Sequence, residues 1–479
     1  MTSTVRTRFA PSPTGELHLG NLRIAVFNFL LARRHAGAFV VRVEDTDRER
    51  NRPGAEERIF EDLAWAGLHW DEGPDRGGPF GPYRQSEREG IHHEKAIELL
   101  ERGAAYRCSC SEAELDSGRT ATRDSPGCPG GCRDRADVAG AAPEGGVDGF
   151  AIRFAVPDRV ISVKDEVRGD ISFHGRDIGD FVILRSDGRA TYNFAVVADD
   201  VAMEISHVIR GAGHLSNTPK QALLFDALLG RRPHFAHLPT VLGKDGGKLS
   251  KRTGAPGVEL LRREGFHPDG VVNYLSLLGW SPGDDREVLT REELIREIDL
   301  ARAGASDTVF DPEKLRWVSS QHIAGMSTEK LAEAVEPYLD RSRFPLEGVE
   351  LVRAVEAIRT RLTTFGEVNE HLTLVFPEAR ALASAREELM REEGAGELLA
   401  AVRDSLAGLS GWSADSAGEA VRSAGKVIGV RGAGLFHPVR LALSGSRSGP
   451  DLGKVLEAIG RDRTLELLDE ALARVRAGA

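Results

Sequence analysis

The 479-residue sequence lacks any uninterrupted apolar run approaching the roughly 18 residues that a membrane-spanning helix requires. Its first residues, MTSTVRTRF, lack the apolar stretch of a secretory signal. It also lacks an excess of positive charge: the formal net charge of -11 argues against indiscriminate coating of nucleic acids, although a local basic groove could still bind RNA phosphates. We therefore expect a cytoplasmic protein of several domains with no membrane association.

Cysteine is scarce, because the whole chain contains only four residues of this type, and all four lie close together. They are Cys108, Cys110, Cys128 and Cys132. This clustering is hard to reconcile with scattered core cysteines or with disulfides that close long loops. Four thiolates in two close pairs suit a tetrahedral structural zinc ion. Free thiols without metal are the alternative, because the inner spacings are not the commonest zinc-ribbon spacings.

The segment RFAPSPTGELHLGNLRIAVFNFLLAR, residues 8–33, combines a turn with a long apolar run. Apolar residues recur at steps of three and four, which predicts a helix that begins near Gly20. A short strand is expected before it, at residues 5–10, and the prolines favour an extended turn between the two elements. The helix N-terminus offers unpaired N–H groups, and Gly20 lets a phosphate approach them closely. His18 and Asn21 would flank that anion.

Strand and helix patterns alternate over the next hundred residues, which indicates a parallel sheet. The strand predicted at residues 39–43 ends in an acidic turn that contains Glu44. Ligands bind beyond the carboxyl ends of such strands, so Glu44 is well placed to meet a cation such as an amino group. The pattern breaks between about residues 105 and 148, which suggests an insertion. From about residue 260 onward helical periodicity dominates.

The loop GKDGGKLSKRTG is the second informative stretch, because Lys248, Lys251 and Arg252 lie close together in it. Such a loop can close over a polyphosphate. By itself the pattern also fits an ordinary solvated surface loop.

Together these stretches resemble the two signatures of class I aminoacyl-tRNA synthetases. In this chain His18-Leu19-Gly20-Asn21 resembles the first signature, and Lys248-Leu249-Ser250-Lys251-Arg252 resembles the second. Further segments look like the glutamyl-tRNA synthetase family in particular: RFAPSPTGELHLGN, RVEDTD, DEGPDRGGPFGPYRQSER, HVIRG followed by HLSNTP, KLSKR and FDPEKLRW stand in that family's order. The similarity extends from residue 6 to the segment GLFHPVRLALSG near the end of the chain.

The resemblance implies an α/β Rossmann-type nucleotide-binding catalytic domain that is split by an inserted acceptor-binding subdomain and followed by an all-α C-terminal half. The implied boundaries are residues 1–106 and 185–253 for the two parts of the catalytic domain, 107–184 for the insertion with the cysteine cluster, 254–322 for a stem-contact region, and 323–479 for a helical anticodon-binding region of two subdomains.

The resemblance also implies an activity, in which L-glutamate reacts with ATP and Mg²⁺ to give glutamyl-adenylate and is then transferred to the 3′-terminal adenosine of tRNA(Glu). The implied catalytic residues are His18, Asn21, Lys248 and Lys251, which would bind ATP together with Thr14 and Gly20. The implied glutamate-binding residues are Arg8, Ala10, Ser12, Glu44, Tyr192 and Arg210. Some bacterial members carry zinc at the matching insertion, and we expect the enzyme to be a monomer.

A few positions depart from the family pattern. Ala212 and Gly213 stand where acidic residues are usual, His214 stands where some members have tryptophan, and Val196 stands where some have asparagine. Candidate RNA contacts in the helical half are Arg359, Arg361 and the loop around residues 440–447.

Several readings remain open. The enzyme could charge tRNA(Gln) as well as tRNA(Glu), or the chain could be a non-catalytic or tRNA-modifying RNA-binding paralogue. A glutaminyl-tRNA synthetase is disfavoured because that relative usually carries β-barrels where this chain is helical, and a small-molecule nucleotidyltransferase would not need the long helical half.

Overall fold

The computed structural model describes residues 4–110, 128, 131–133, 150–249 and 256–478. The chain forms two compact units, one of Met1–Glu259 with Val272–Asp311 and the other of Leu260–Val271 with Pro312–Ala479. None of the described helices is both long and apolar enough to cross a bilayer.

Short strands occur only in the first unit among the described residues, and most of them join one large sheet. The strands are β1 (Arg6–Phe9), β2 (Ala38–Val41), β3 (Ala105–Cys108), β4 (Ala151–Phe154), β5 (Val160–Asp165), β6 (Gly169–His174), β7 (Phe181–Leu184), β8 (His207–Gly211), β9 (His234–Leu238), β10 (Val241–Leu242) and β11 (Thr308–Val309). The six-stranded sheet has the order β2-β1-β8-β9-β5-β6 and is parallel except for the edge strand β6.

The order of the strands positions a crevice. The chain passes from β1 to β2 on one side, whereas β8 pairs with β1 on the other side, so the direction of winding changes between β1 and β8. In open parallel sheets, ligands bind at such a switch point, beyond the carboxyl ends of the strands. This places the residues that follow β1 beside those that end β8.

Along the first 297 residues, helices lie between several of these strands and follow β10. They are α1 (Leu19–Arg34), α2 (Ala55–Trp65), α3 (Glu89–Glu101), α4 (Gly175–Ile178), α5 (Tyr192–Ala202), α6 (Thr218–Leu229), α7 (Val258–Glu264), α8 (Pro268–Leu277) and α9 (Arg291–Glu297). The alternation with parallel strands confirms the predicted Rossmann-type α/β fold.

Helix α1 is buried on more faces than an amphipathic pattern alone predicts. Its apolar residues pack into the core, but the polar Arg23 and Asn28 are buried as well. Asn28 donates to the carbonyls of Ile24 at 2.8 Å and Ile209 at 3.1 Å, and its own carbonyl accepts from the Thr7 hydroxyl at 2.8 Å. These bonds satisfy buried polar groups and fix α1 against β1 and β8.

The segment predicted as an insertion contributes to two different sheets. Strands β3, β4 and β7 form a separate antiparallel sheet, whereas β5 and β6 extend the six-stranded sheet. β5 alternates exposed and buried residues, so it buries Ile161, Val163 and Asp165 on one face. Because β5 also pairs in parallel with β9, it belongs to the large sheet although it lies within residues 107–184.

Among its described residues the second unit contains helices and no strand, which confirms the predicted all-α half. Its remaining helices are α10 (Pro312–Ala324), α11 (Thr328–Val335), α12 (Gly348–Ile358), α13 (Val368–Leu372), α14 (Ala379–Leu389), α15 (Ala395–Ala407), α16 (Ala414–Val427), α17 (Ala433–Ser444), α18 (Leu452–Ile459) and α19 (Arg461–Gly478). One core cluster includes Leu399, Val421 and Leu468, and another includes Val355 and Val368.

Candidate active site

The turn between β1 and α1 is shaped by His18, which caps the helix. Its Nδ1 accepts a hydrogen bond from the Asn21 N–H at 3.3 Å. In neutral imidazole the proton then resides on Nε2, so the second ring nitrogen is a donor. A Cβ on Gly20 would lie 3.2 Å from His18 Nδ1 and Cε1, which explains why glycine follows the cap. The capping bond therefore sets the tautomer that His18 presents.

Beside this turn lies a cleft of about 530 Å³, which the β1–α1 turn, the end of β8 and the segment after β9 surround. Almost all of the site residues predicted from the sequence line it: Arg8, Ala10, Ser12, Thr14, His18, Gly20, Asn21, Glu44, Tyr192, Arg210 and Lys248. The structure thus brings together residues from opposite ends of the catalytic unit's sequence.

Lys251 lies outside the described residues, together with Ser250 and Arg252. The chain before it is fixed, because the Leu249 N–H donates to the Val241 carbonyl at 2.9 Å and both residues line the cleft. The chain after it is fixed as well, since the Val258 N–H donates to the Leu17 carbonyl at 3.1 Å. Residues 250–252 of the basic signature are therefore preceded by Leu249 at the cleft and followed by Val258, which is held against Leu17.

A buried network of charges supports the floor of the cleft. The fully buried Arg42 donates to Asp200 Oδ1 at 2.6 Å and to Glu44 Oε1 at 3.2 Å, and its Nε lies 3.8 Å from Asp199 Oδ2. Arg8 Nε lies 3.2 Å from each oxygen of Asp200. Burial opposes the charge of Arg42, but attraction to Asp200 and Asp199 raises its pKa overall.

The network leaves two groups directed toward the cleft. Arg8 uses Nε for Asp200, and its two Nη groups form no hydrogen bond with any residue in the described part of the chain. Burial raises the pKa of Glu44, although Arg42 and Arg8 offset part of the shift. A carboxylate bound to the Nη groups of Arg8 and an ammonium bound to Glu44 would each add a further partner of opposite charge.

Arg210, at the end of β8, is surrounded by neutral acceptors. It donates to His237 Nε2 at 3.0 Å, to Gln221 Oε1 at 2.6 Å and to Thr218 Oγ1 at 2.9 Å. Burial and the nearby charge of Arg8 lower the pKa of Arg210 to about 10, so it remains a cation at neutral pH. Among the described residues no carboxylate forms an ion pair with it, which leaves a buried positive charge at the cleft wall.

Tyr192 and His214 form a pair across the mouth of the cleft. The Tyr192 hydroxyl lies 3.1 Å from His214 Nδ1. Both side chains retain accessible surface, but that surface faces the concave cleft, where surrounding atoms exclude much of the water. Desolvation consequently raises the pKa of Tyr192 to about 12 and, together with Arg210 and Arg8, lowers the pKa of His214 to about 4. Both groups are therefore neutral at physiological pH.

The four cysteines meet beside the three-stranded sheet. One ligand atom from each lies within 4.8 Å of the others, and Cys110 Sγ is 3.7 Å from Cys132 Sγ. A Zn–S distance of about 2.3 Å places sulfurs of a tetrahedral site about 3.8 Å apart. The Cys132 N–H also donates to Cys128 Sγ at 3.2 Å. The donor set and its spacing therefore fit zinc.

Comparison with known protein families gives two matches that together span most of the chain. Residues 4–317 match the family of tRNA synthetases class I (E and Q), catalytic domain. Residues 330–472 match an anticodon binding domain. A glutamate–tRNA ligase of Natranaerobius thermophilus is 42% identical over 487 residues, which cover 99% of this chain and 100% of that protein. The chain belongs to the glutamate–tRNA ligase family.

Other members of the ligase family are similar to this chain along nearly their whole length. The glutamate–tRNA ligase of Desulforudis audaxviator is 41% identical over 490 residues, covering 99% of this chain and 97% of that protein. A crystal structure of a glutamate tRNA ligase from Elizabethkingia meningosepticum, in complex with its amino acid, has a TM-score of 0.79 and 30% identity and covers 98% of this chain and 99% of that one. These findings confirm the family resemblance of the sequence motifs and the class of enzyme, a ligase.

Several polar residues at the ligase site were missed by the sequence reasoning. They are Arg42, Asp165, Asp200, Thr218, Gln221 and His237. The only available signal was a charged or polar residue inside an apolar segment, such as Arg42 in FVVRVE or the acidic pair in AVVADDV. Such residues are normally exposed unless paired, so their burial in strands and helices indicates a network. Their partners could not be identified from that signal.

Two further sequence expectations can be compared with the structure. Val196 is buried within α5 and does not belong to the lining of the described cleft, whereas Ala212, Gly213 and His214 do. Arg359 is partly buried and its guanidinium donates to Glu356 Oε2 at 2.6 Å and to Thr328 Oγ1 at 2.7 Å, so its contact with RNA stays a prediction. Arg361 is exposed, as an RNA contact requires.

Proposed function

We propose that this chain activates L-glutamate with ATP and transfers the glutamyl group to the 3′-terminal adenosine of tRNA(Glu), releasing AMP and diphosphate. The observation that carries the proposal is a single cleft in which the N-terminus of α1, Lys248 and a pocket of two arginines and Glu44 meet. Glutamate carries two carboxylates and one ammonium, and this pocket offers complementary charges for all three. The glutamate–tRNA ligases to which the chain is similar supply the rest of the support.

The pocket orients glutamate through charge. The ammonium binds Glu44, and the carboxylates bind Arg8 and Arg210, whose planar guanidinium groups match a carboxylate bidentately. Ala10 and Ser12 follow β1 directly and supply the wall beside which the α-carboxylate lies. Because this carboxylate is already ionised, it needs no general base to attack the α-phosphate of ATP. Catalysis then depends on positioning and on stabilisation of developing charge.

The phosphate end of the cleft stabilises that charge. The unpaired N–H groups at the start of α1 favour an anion, and Gly20 leaves room for it. His18 donates from Nε2, because its Nδ1 is occupied by the capping bond to Asn21. Lys248 and, on the basis of its signature motif, Lys251 neutralise the departing diphosphate. Mg²⁺ bound to the phosphates would supply further charge neutralisation.

Transfer of labelled glutamate to purified tRNA in the presence of ATP and Mg²⁺ tests the proposal. Labelling of tRNA(Glu) alone is expected from a discriminating enzyme, and labelling of tRNA(Gln) as well would show a non-discriminating one. Failure to label either tRNA would contradict the proposal and favour a non-catalytic or tRNA-modifying paralogue.

The basic loop can be tested separately. Lys251→Ala should slow adenylate formation in a single turnover with tRNA present. The glutamate concentration that gives half of the maximal rate should change much less. Unchanged single-turnover rates would remove Lys251 from the mechanism.

We also propose that the four cysteines hold a structural zinc ion. Although burial alone would raise it, hydrogen bonds from the Ser109 backbone and from neighbouring thiols lower the pKa of Cys132 to about 7, whereas burial raises the pKa of Cys108. The support for zinc is therefore the four-sulfur donor set and its spacing. Elemental analysis should find about one zinc per chain in the wild type and much less in Cys132→Ser. Ser109→Ala is the matched control, because Ser109 adjoins the cluster without being one of its four ligands. Wild-type protein purified from zinc-supplemented medium without bound metal would contradict this assignment.

The domain boundaries inferred from the sequence are part of the same proposal. Residues 107–184 bind the acceptor end of tRNA, 254–322 contact its stem and 323–479 bind the anticodon, the last of these supported by the match of residues 330–472. We further propose that the enzyme acts as a cytoplasmic monomer. Light scattering of the purified protein, with and without tRNA, tests the oligomeric state.

A further inference from the structure

The three neutral acceptors around Arg210, namely Thr218, Gln221 and His237, form a neutral collar. Each of the three guanidinium nitrogens donates to a different member of the collar, at distances between 2.6 and 3.0 Å. The members come from two elements, since Thr218 and Gln221 lie on α6 and His237 lies on β9. The guanidinium plane is therefore fixed from two sides.

Two residues behind the collar fix the polarity of its hydrogen bonds. Arginine can only donate, so His237 Nε2 must accept from Arg210 and the imidazole proton must reside on Nδ1. That N–H donates to Asp165 Oδ2 at 2.6 Å. The Gln221 amide nitrogen donates to Asn193 Oδ1 at 3.1 Å, which turns the Gln221 oxygen toward Arg210. Asp165 and Asn193 thus keep acceptors, not donors, against the guanidinium.

The collar holds Arg210 without cancelling its charge, in contrast with Arg42 in the same unit. Arg42 contacts three carboxylates, whereas the three partners of Arg210 carry no charge. A cation that is buried among neutral groups interacts more favourably with an anionic ligand than with a neutral one of the same shape. Glutamate and glutamine are nearly isosteric and differ in this charge.

We propose that the neutral collar makes the pocket select glutamate over glutamine, with Asp165 and Asn193 as positioning residues. This inference rests on the proposed function and assigns to Arg210 the side-chain carboxylate of glutamate, the group in which glutamate and glutamine differ. The collar acts on specificity because a carboxylate in place of any member would neutralise Arg210 and remove the reason to prefer an anion.

Gln221→Glu is the sharpest test, because it replaces an amide oxygen 2.6 Å from Arg210 Nη1 with a carboxylate of the same shape. The Asn193 amide can rotate to donate to the new carboxylate. We expect KM for glutamate to rise roughly 10- to 100-fold and the ratio of kcat/KM for glutamate over glutamine to fall by a similar factor, as for loss of a charge-assisted contact. KM for ATP should remain unchanged.

Asn217→Asp is the matched control for charge. It makes the same isosteric change from amide to carboxylate at the residue that precedes α6, one helical turn from Gln221. Asn217 is not a hydrogen-bond partner of Arg210. Its substitution should leave the selectivity ratio within about 3-fold of the wild type, since Asn217 is partly exposed and solvent screens the added charge.

His237 provides a second pair of variants that separates positioning from folding. His237→Leu removes the acceptor, whereas His237→Gln can place an amide oxygen near the position of Nε2. We expect a raised KM for glutamate in the first and partial recovery in the second. His234→Leu is the control, because His234 lies on the same strand and binds Glu166 in a similar way, at 2.8 Å from Nδ1, but away from Arg210.

The outcomes distinguish this inference from the proposed function. If wild-type protein does not charge tRNA with glutamate, the proposed function fails. If the wild type does so and Gln221→Glu retains its selectivity, the inference about the neutral collar is overturned and the function stands. If Gln221→Glu does not fold, equal KM values for His237→Leu and wild type overturn the inference, and recovery in His237→Gln supports it.

Discussion

Arg42 and Arg210 are buried to a similar extent in one unit, but their neighbours are of opposite kinds. Arg42 lies among Asp199, Asp200 and Glu44, and attraction to these acids raises its pKa in spite of burial. Arg210 lies among neutral acceptors, and burial lowers its pKa to about 10. Burial alone therefore does not indicate what an arginine does.

The contrast separates two tasks. A buried arginine with its own carboxylates holds elements together, here the end of β2 and the end of α5, and removal of either partner leaves an uncompensated charge. A buried arginine without carboxylates remains available to a ligand anion. Both tasks are needed in one pocket, because the first kind of arginine keeps the second kind in place.

The largest effect is expected from Arg42→Met, which removes a buried cation that contacts three carboxylates and leaves Asp200 with Arg8 alone and Asp199 with Arg88 as its remaining arginine. We expect the free energy of unfolding to fall by about 3–5 kcal/mol. Chemical denaturation followed by circular dichroism measures this change. Arg189→Met is the control, because Arg189 pairs with Asp187 at the exposed surface and should change stability far less. Equal effects of the two substitutions would contradict a structural role specific to Arg42.

Arg210→Gln should act on binding and leave stability nearly intact, which is the reverse of Arg42→Met. It removes the charge, and its shorter side chain keeps one amide nitrogen that can donate to part of the neutral collar. We expect kcat/KM for glutamate to fall by about 100-fold or more, equivalent to about 3 kcal/mol. Steady-state charging of tRNA measures the loss, and thermal unfolding of the same protein is the control. If the variant lost stability and retained its kcat/KM for glutamate, Arg210 would have a structural role like that of Arg42.

The carboxylate of Glu44 predicts that the affinity for glutamate depends on pH. Protonated Glu44 cannot attract the glutamate ammonium, so affinity falls as pH falls through the pKa of Glu44. Because burial raises that pKa, the loss begins at a higher pH than it would for an exposed glutamate. KM for glutamate should rise about 10-fold per pH unit below the pKa.

Neither Tyr192, with a pKa of about 12, nor His214, with a pKa of about 4, changes charge between pH 5 and 8. KM for ATP, measured over the same range, controls for effects on the other substrate. A glutamate KM that stays constant down to pH 4.5 would show that Glu44 remains ionised, against the expected direction of its shift.

The smallest effects are expected in the helical unit, where one arginine is paired with a carboxylate and another is not. Arg359 is engaged by Glu356 and is 12% exposed at its side chain, whereas Arg361 is exposed and forms no ion pair within the described chain. Arg361→Ala should weaken tRNA binding by about 1 kcal/mol, roughly 5-fold, and reduce its salt dependence. Arg359→Ala should instead lower stability by roughly 1–2 kcal/mol. Filter binding at two salt concentrations measures the change in tRNA affinity, and thermal unfolding measures the change in stability. Weaker tRNA binding in Arg359→Ala alone would contradict the roles given to the two arginines.

Local patterns predicted much of the candidate site. The helix expected near Gly20 begins at Leu19, and the strand expected to precede Glu44 is present at Ala38–Val41. The cysteines meet as their clustering in the sequence suggested. These features depend on periodicity, on turn residues and on ligands close in the chain, all of which are visible within a short window of sequence.

The partners of the buried arginines could not be predicted in this way. Arg8 and Asp200 are 192 residues apart, and Asp165 and His237 are 72 residues apart. Nothing in the sequence around one member indicates the other.

The sequence by itself determined the family, the α/β and all-α halves, the anion-binding turn and the candidate metal ligands, because each is encoded in contiguous residues. Only the tertiary structure decided which arginine is compensated and which is left charged. That distinction depends on the order β2-β1-β8-β9-β5, which places the end of β1 beside Asp200 and the end of β8 beside His237. The long-range packing of the strands, and not any residue type, therefore gives Arg42 a structural task and Arg210 a ligand.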